Sequence, residues 1–230
     1  MKKITAAELL EKLSKDPAYQ AKKAQRENES IEWISKANEI EKPIIKELLE
    51  NGFNIQSLDD LMRTREPLPD SVVKILANWL PKLEDRYNIR EIIIRGFTGQ
   101  KLDIDYRILA DIYDNKNTSD DFRFAISNCI ANSSIDKVED WLRSKVEQGD
   151  HTLLLAASRY LNREFVLPYL LKSLDKKDDF IYQALTEIGG QSEVAFLVQQ
   201  VGKYKGYEKK QVEKIIKGIK KRLNKEQAKH

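Results

Sequence analysis

From about residue 70 onward, the chain repeats a pattern of two amphipathic helical segments joined by a short polar turn. The clearest copy runs from Leu167 to Gly190 around an acidic turn at 175–179. Corresponding positions in the second segments of four copies are 33, 30 and 29 residues apart: Ile92, Ala125, Leu155 and Ala184. One helix pair cannot bury both of its faces, so each copy has to pack against its neighbours. The repeat therefore predicts an all-α fold in which successive helix pairs share one elongated core.

The repeats divide the chain into three predicted parts. Residues 1–66 form a charged helical N-terminal extension and cap, residues 67–223 form the repeat array, and residues 224–230 form a basic tail. The helix pairs of the array are predicted at 70–99, 102–132, 135–162, 164–190 and 191–223. Gly and Pro number only 9 and 6, which disfavours a fold built from many tight turns.

The pattern resembles HEAT repeats, which build armadillo-like α-solenoids. The resemblance is carried by leucines and a proline of the first segment, by turn aspartates and by second-segment arginines: Leu167, Pro168, Leu170, Leu171, Leu174, Asp120, Asp121, Asp178, Asp179, Arg90 and Arg123. It covers about two thirds of the chain and implies a right-handed α-solenoid of about five helix pairs. The resemblance is specific for architecture and says little about function, because such solenoids bind many unrelated partners.

The sequence also indicates the cellular compartment of the protein. A single cysteine, Cys129, excludes an internal disulfide and a cysteine zinc cluster, and it fits a reducing cytoplasm. No apolar run approaches the roughly 18 residues that cross a bilayer. The N-terminus reaches Glu8 before any signal-type apolar stretch forms, which disfavours secretion. We therefore expect a cytoplasmic protein without a membrane span.

The net charge of +3 is unevenly distributed. Residues 203–230 carry +8, whereas residues 1–202 carry −5. Four lysines of the basic segment share one face of a predicted helix: Lys210, Lys214, Lys217 and Lys221. An apolar face on the opposite side suits a terminal helix that caps the array. The alternative is that the lysines form a candidate anion-binding patch for nucleic acid, an acidic protein or an anionic lipid surface.

The N-terminal extension contains its own helix signals. Asp16 followed by Pro17 is typical of a helix start. Residues 18–39 are polar nearly all round in their first half, which predicts a protruding or weakly docked helix. Pro43 is expected to begin a second, more amphipathic helix, which Gly52 closes in a left-handed conformation.

The chain offers little for catalysis. Cys129 shares one helical face with apolar neighbours, so we expect its thiol in the core. His151 has no second histidine near it in sequence and is expected at the surface of a helix start. Paired aspartates occur in turns before helices, where capping of free backbone N–H groups explains them better than acid–base chemistry. The sequence therefore predicts no catalytic residues, no metal site, no cofactor and no enzyme activity.

The second segments are expected to line a concave face. Helical periodicity places seven residues inside: Ile92, Ile93, Ala125, Ile126, Ala184, Leu185 and Ile188. It places nine candidates for partner binding outside: Arg90, Arg95, Arg123, Phe124, Asn128, Arg159, Tyr182, Gln183 and Glu187. Arginine and aromatic residues among mixed polar groups are typical of protein interfaces. For Arg90 and Arg123 the alternative, implied by the resemblance, is a bond to a turn aspartate that holds neighbouring repeats in register.

The leading functional hypothesis is a non-enzymatic module that binds another protein in a concave groove. The whole chain is similar to bacterial HEAT-repeat proteins with a charged helical N-terminus. Some small solenoids of that kind act as immunity or antitoxin proteins, so the resemblance implies a toxin or effector domain as partner. Two alternatives remain: a nucleic-acid-binding protein related to the HEAT-like DNA alkylation-repair glycosylases, and a scaffold of a larger complex. The resembled glycosylases use a basic concave cleft, whereas residues 1–202 of this chain are net acidic, which disfavours that activity.

Overall fold

A computed structural model describes residues 5–64, 66–176 and 178–228. Across these residues the chain is almost entirely helical, which confirms the all-α prediction. The N-terminal extension contains α1 (Ala6–Lys15) and α2 (Pro17–Glu50), followed by a 3₁₀ turn at Leu58–Met62. The ends of the chain at 1–4 and 229–230, including the last residues of the predicted basic tail, lie outside the described residues.

Ten further helices follow in pairs along the described chain. Their bounds are α3 (Asp70–Trp79) and α4 (Ile89–Phe97), α5 (Arg107–Asp114) and α6 (Asp120–Asn132), α7 (Glu139–Glu147) and α8 (Leu154–Tyr160), α9 (Arg163–Lys172) and α10 (Asp179–Ile188), and α11 (Gln191–Gln200) and α12 (Gly206–Gln227). Short 3₁₀ turns lie at Leu80–Lys82, Asp85–Tyr87, Leu174–Lys176 and Val201–Lys203.

The second helix of each pair packs on the second helix of the next. Along the chain, α4 contacts α6, α6 contacts α8, α8 contacts α10, and α10 contacts α12. The first helices α5, α7, α9 and α11 pack on the second helix of their own pair. One cluster of buried apolar side chains extends from Ala37 in α2 to Ile219 in α12. Each pair therefore completes its core with side chains from its neighbours.

Two short strands, which the sequence pattern does not predict, join the segments that follow α4 and α6. β1 (Lys101–Leu102) pairs in parallel with β2 (Ser134–Ile135), with Lys101 opposite Ser134 and Leu102 opposite Ile135. The hydroxyl of Tyr160 donates to the carbonyl of Ser133 at 2.6 Å and accepts from the Ile135 amide at 3.1 Å. This bridge holds the ends of two successive second helices side by side.

The helix signals in the extension are confirmed except at Pro43. Asp16 caps α2 by accepting from the amides of Ala18 and Tyr19, and Gly52 follows α2 with a φ of +80°. Pro43, however, lies inside α2 and does not begin a new helix, so that prediction was wrong. The missing N–H removes one backbone hydrogen bond. The helix continues because residues on both sides of Pro43, from Ala37 to Leu48, are docked in the core.

The first part of the extension projects from the rest. No residue from 5 to 36 is buried, and Ala37 is the first one that is. The expectation of a protruding or weakly docked helix is therefore confirmed for the residues before Trp33, whose ring centroid lies 6.0 Å from that of Tyr87. That part of α2 is roughly 24 Å long at 1.5 Å per residue. In the described part of the chain, no helix is both long enough and apolar enough to cross a membrane.

Candidate functional site

Most of the residues that the sequence analysis placed on the outside of the second helices are accessible to solvent. We call six of the nine candidates, each with at least part of its side chain accessible, the second-helix face: Arg95 on α4, Phe124 and Asn128 on α6, Arg159 on α8, and Gln183 and Glu187 on α10. The helices that carry them contact one another in that order. The face is therefore assembled from segments that are far apart in sequence.

Arg159 joins three of these helices. Its guanidinium donates to both carboxylate oxygens of Glu187, at 3.0 and 2.7 Å, and Nη1 donates at 2.7 Å to the Ala131 carbonyl and to the Asn132 side-chain oxygen. Gln183 donates to Glu187 at 2.8 Å. Partial burial disfavours the charged form of Glu187, but the bonds from Arg159 and Gln183 outweigh it and hold the pKa of Glu187 below its ordinary value. The polar part of the face is thus preorganised.

The same two helices also carry an aromatic pair, nearer their N-terminal ends. The rings of Phe124 on α6 and Phe180 on α10 are parallel within 2°, with centroids 4.1 Å apart. Phe124 is still 41% exposed. Sequence analysis missed Phe180, because the two residues lie on different helices that are far apart in the chain. An accessible aromatic ring on a surface that also carries an arginine is typical of protein interfaces.

Arg90 and Arg123 are occupied by backbone contacts. Arg123 donates to the carbonyls of Tyr113 and Asn115, both at 3.0 Å, and lies 3.4 Å from the Asp120 carboxylate. Arg90 donates to the carbonyl of Leu80 at 2.9 Å. Both arginines therefore satisfy carbonyls at or just beyond the end of the preceding helical segment. Because these carbonyls belong to the first segment of the same pair, the bonds hold the two segments of one pair together, and they are not the contacts between neighbouring repeats that the resemblance implied.

Periodicity misplaced some residues of α4 and α10. The prediction that Tyr182 is exposed was wrong, since only 6% of it is accessible. Burial raises its pKa, and the nearby Glu208 and Tyr204 raise it further. The helix that carries Tyr182 packs against α12. Ile92 and Ile188, predicted inside, are only half-buried. Helical periodicity describes one helix at a time and gives no information on which other helices pack against it.

The structure shows where the residues considered for catalysis lie and what they contact. Cys129 is fully buried, and desolvation raises the pKa of its thiol to about 12. Asp178 caps α10 through the amide of Phe180, whereas Asp103 pairs with Lys74 at 3.1 Å instead of capping a helix. His151 is half-buried in the segment before α8.

The four lysines of α12 form an exposed row. Val212, Ile215 and Ile219 on the opposite side are buried, and α12 packs on both α10 and α11. Arg222 anchors the helix by donating to the carbonyls of Thr186 and Gly189. Within residues 5–64, 66–176 and 178–228, no acidic side chain lies within ion-pair distance of Lys210, Lys214, Lys217 or Lys221, although Lys209 pairs with Glu213.

Comparisons of the chain with protein families, with curated proteins and with solved structures find no match.

Proposed function

We propose that the chain is a non-enzymatic protein-binding module, built as a right-handed HEAT-like α-solenoid of about five helix pairs behind a helical extension. Two observations support this architecture. The second helices contact one another in chain order, and a single core passes through all of the pairs. The parallel pairing of β1 with β2 also relates equivalent segments of two successive pairs by a translation. Such an array presents an extended surface rather than a single deep cleft.

The proposed binding surface is the second-helix face. The observation that carries this proposal is the bidentate pair of Arg159 and Glu187, which spans two helices and lies in the same array of helices as the exposed ring of Phe124. Because these side chains are already held by one another, they lose little conformational entropy when a partner docks. Aromatic and arginine side chains are also the groups that most often contribute large binding energies at interfaces.

We propose further that the partner is a toxin or effector domain, which this chain would block in the cytoplasm. The motivation is the resemblance to small bacterial HEAT-repeat proteins, together with the small size of the chain and its single cysteine.

Substitution of Phe124 by alanine tests the surface. We expect the variant to bind its partner about tenfold more weakly, because truncation of one interface anchor commonly costs more than about 1 kcal/mol. Asp111→Ala on α5 is the matched control, since Asp111 is exposed and lies on a first helix. The partner is recovered by affinity capture from the source cells, identified by mass spectrometry, and titrated against the purified proteins. Equal binding of both variants would exclude the second-helix face.

A second candidate function is nucleic-acid binding by α12, and the lysine row favours it. At 1.5 Å per residue, Lys210 to Lys221 extend over roughly 16 Å of a helix that is docked on its apolar side. Lysines that form no ion pair with a described acidic side chain are available to phosphates, and each neutralised phosphate releases counterions.

Replacement of Lys210, Lys214, Lys217 and Lys221 by glutamine tests this candidate. If all four contact phosphates, the slope of log K against log salt for a DNA duplex should decrease in magnitude by about 3 to 4. The control replaces Lys12, Lys22, Lys23 and Lys46 of the extension, which removes the same charge elsewhere. Fluorescence anisotropy between about 50 and 200 mM salt measures both slopes. Identical slopes for the two variants would rule out a role of the row.

A further inference from the structure

A cavity lies between the extension and the first helix pair, and it shares only Arg95 with the second-helix face. It has a volume of about 420 Å³ and is enclosed by α2, the 3₁₀ turn at Leu58–Met62 and the start of α4. Its lining includes Trp33, Glu41, Tyr87 and Ile92. A volume of this size falls within the roughly 300–1,000 Å³ of ordinary ligand pockets.

Glu41 is the most unusual residue of the cavity. It is only 8% exposed, although it carries an ionisable carboxyl group. Its Oε2 accepts from the Leu58 amide and the Ser57 hydroxyl at 3.5 Å each, which is the limit of a hydrogen bond. Its Oε1 accepts no hydrogen bond from any described residue, and no fully buried polar side-chain atom in the described chain lacks a partner. Oε1 is therefore not fully buried, and Glu41 is one of the residues that line the cavity.

The cavity is complementary to a cation. Asp59 and Glu91 line it together with Glu41, and Arg95 is the one basic residue among the described lining residues. The guanidinium of Arg95 is held by Glu91 at 2.8 and 2.6 Å, so its charge is already balanced. Desolvation raises the pKa of Glu41, and the nearby Asp59 and Asp60 raise it further despite the bonds from Leu58 and Ser57. A cation in the cavity would relieve this cost.

An aromatic wall adds a second element of recognition. Trp33 is 40% exposed at the cavity, and its ring centroid lies 6.0 Å from that of Tyr87. Indole is the best aromatic partner for a cation, and a planar guanidinium stacks on it more readily than an ammonium does. The side chains of Asn38 and Asn88 also line the cavity and carry amide oxygens that can accept from a guanidinium.

We propose that this cavity binds an arginine side chain of a partner polypeptide, with the guanidinium paired to Glu41 and stacked on Trp33. Arginine fits better than a compact ammonium because its forked donors can reach a carboxylate while its plane lies against a ring. The cavity adjoins α4, so a polypeptide docked along the second-helix face could also place an arginine here. The proposal does not depend on that face being correct.

The test uses N-acetyl-L-argininamide and its neutral isostere N-acetyl-L-citrullinamide as probes of the full-length protein. Amide NMR spectra with the Trp33 indole N–H as reporter are expected to give a dissociation constant of roughly 1 mM for the arginine probe, a typical affinity for a ligand of this size. The citrulline probe should bind about tenfold more weakly or worse, because charge-assisted hydrogen bonds are about twice as strong as neutral ones.

Glu41→Gln is the decisive variant, since it keeps the shape of the side chain and an oxygen for Leu58. We expect this substitution to weaken binding of the arginine probe by about tenfold or more. Glu39→Gln, on the exposed side of α2, should not change the affinity. The same NMR spectra report whether each variant is folded. Trp33→Leu, followed through the side-chain amides of Asn38 and Asn88, should also weaken binding.

Three results would each overturn the proposal. The first is no chemical-shift change at the Trp33 indole up to about 20 mM arginine probe, some twentyfold above the expected dissociation constant. The others are equal affinities for the arginine and citrulline probes, or equal affinities of the Glu41→Gln and Glu39→Gln variants for the arginine probe. No partner protein is needed, so these outcomes are independent of the Phe124 experiment.

Discussion

Replacement of Leu155 by alanine is expected to lower the free energy of unfolding by about 3 kcal/mol, the middle of the range for fully buried leucines. Leu155 is 0% exposed on α8, the helix that contacts both α6 and α10. The loss combines the transfer of apolar atoms with a cavity that the surrounding helices cannot fill. Because the core is continuous through α8, the truncation should weaken the packing of the pairs on both sides.

Ile92→Ala is the matched control for Leu155→Ala. Ile92 occupies the corresponding position of the first repeat, but it is half-buried and lines the cavity next to Glu41. We expect a loss of only about 1 kcal/mol, since part of the side chain is already in contact with solvent. Urea denaturation followed by far-UV circular dichroism measures both variants. Equal losses of unfolding free energy in the two variants would contradict the difference in burial between Leu155 and Ile92.

Replacement of Gly218 by valine is expected to cost about 2 to 3 kcal/mol, because extra atoms in a packed interface force side chains and backbone apart. A Cβ on Gly218 of α12 would lie 2.6 Å from the Cγ2 of Thr186 on α10. The Thr186 hydroxyl is bonded to the Tyr182 carbonyl at 2.9 Å, so the threonine cannot rotate away without losing that bond. Valine is a better helix former than glycine, so the loss reports the interhelical contact and not helix propensity.

Gly202→Val provides the comparison for Gly218→Val. No heavy atom lies within 4 Å of a Cβ built on Gly202, and we expect a change within about 0.5 kcal/mol. Denaturation midpoints give the stabilities, and limited digestion with trypsin shows whether the lysines of α12 become cleavable when the helix is displaced from α10. A Gly218 variant with the midpoint and digestion pattern of the unmodified protein would contradict the close packing of these helices.

The sequence predicted side-chain exposure correctly where the geometry of a single helix decides it. Phe124, Asn128 and Gln183 are accessible because each lies on the outer side of its own helix, and periodicity reports that side. Tyr182 was assigned to the same side, but it is only 6% exposed on α10, the helix against which α12 packs. The pairing of Arg159 with Glu187 and the stacking of Phe124 on Phe180 connect residues 28 and 56 positions apart, and no local pattern specifies such contacts.

The sequence by itself determined the helical class and the local helix signals, such as the Asp16 cap of α2 and the Gly52 turn after it. Caps and periodic apolar faces depend on residues only a few positions apart, so they can be recognised along the chain. Only the tertiary structure decided that Pro43 stays within α2, that Glu41 is enclosed beside Trp33, and that α12 lies against Thr186. These outcomes depend on which distant side chains meet, and that is settled by how the helices pack together.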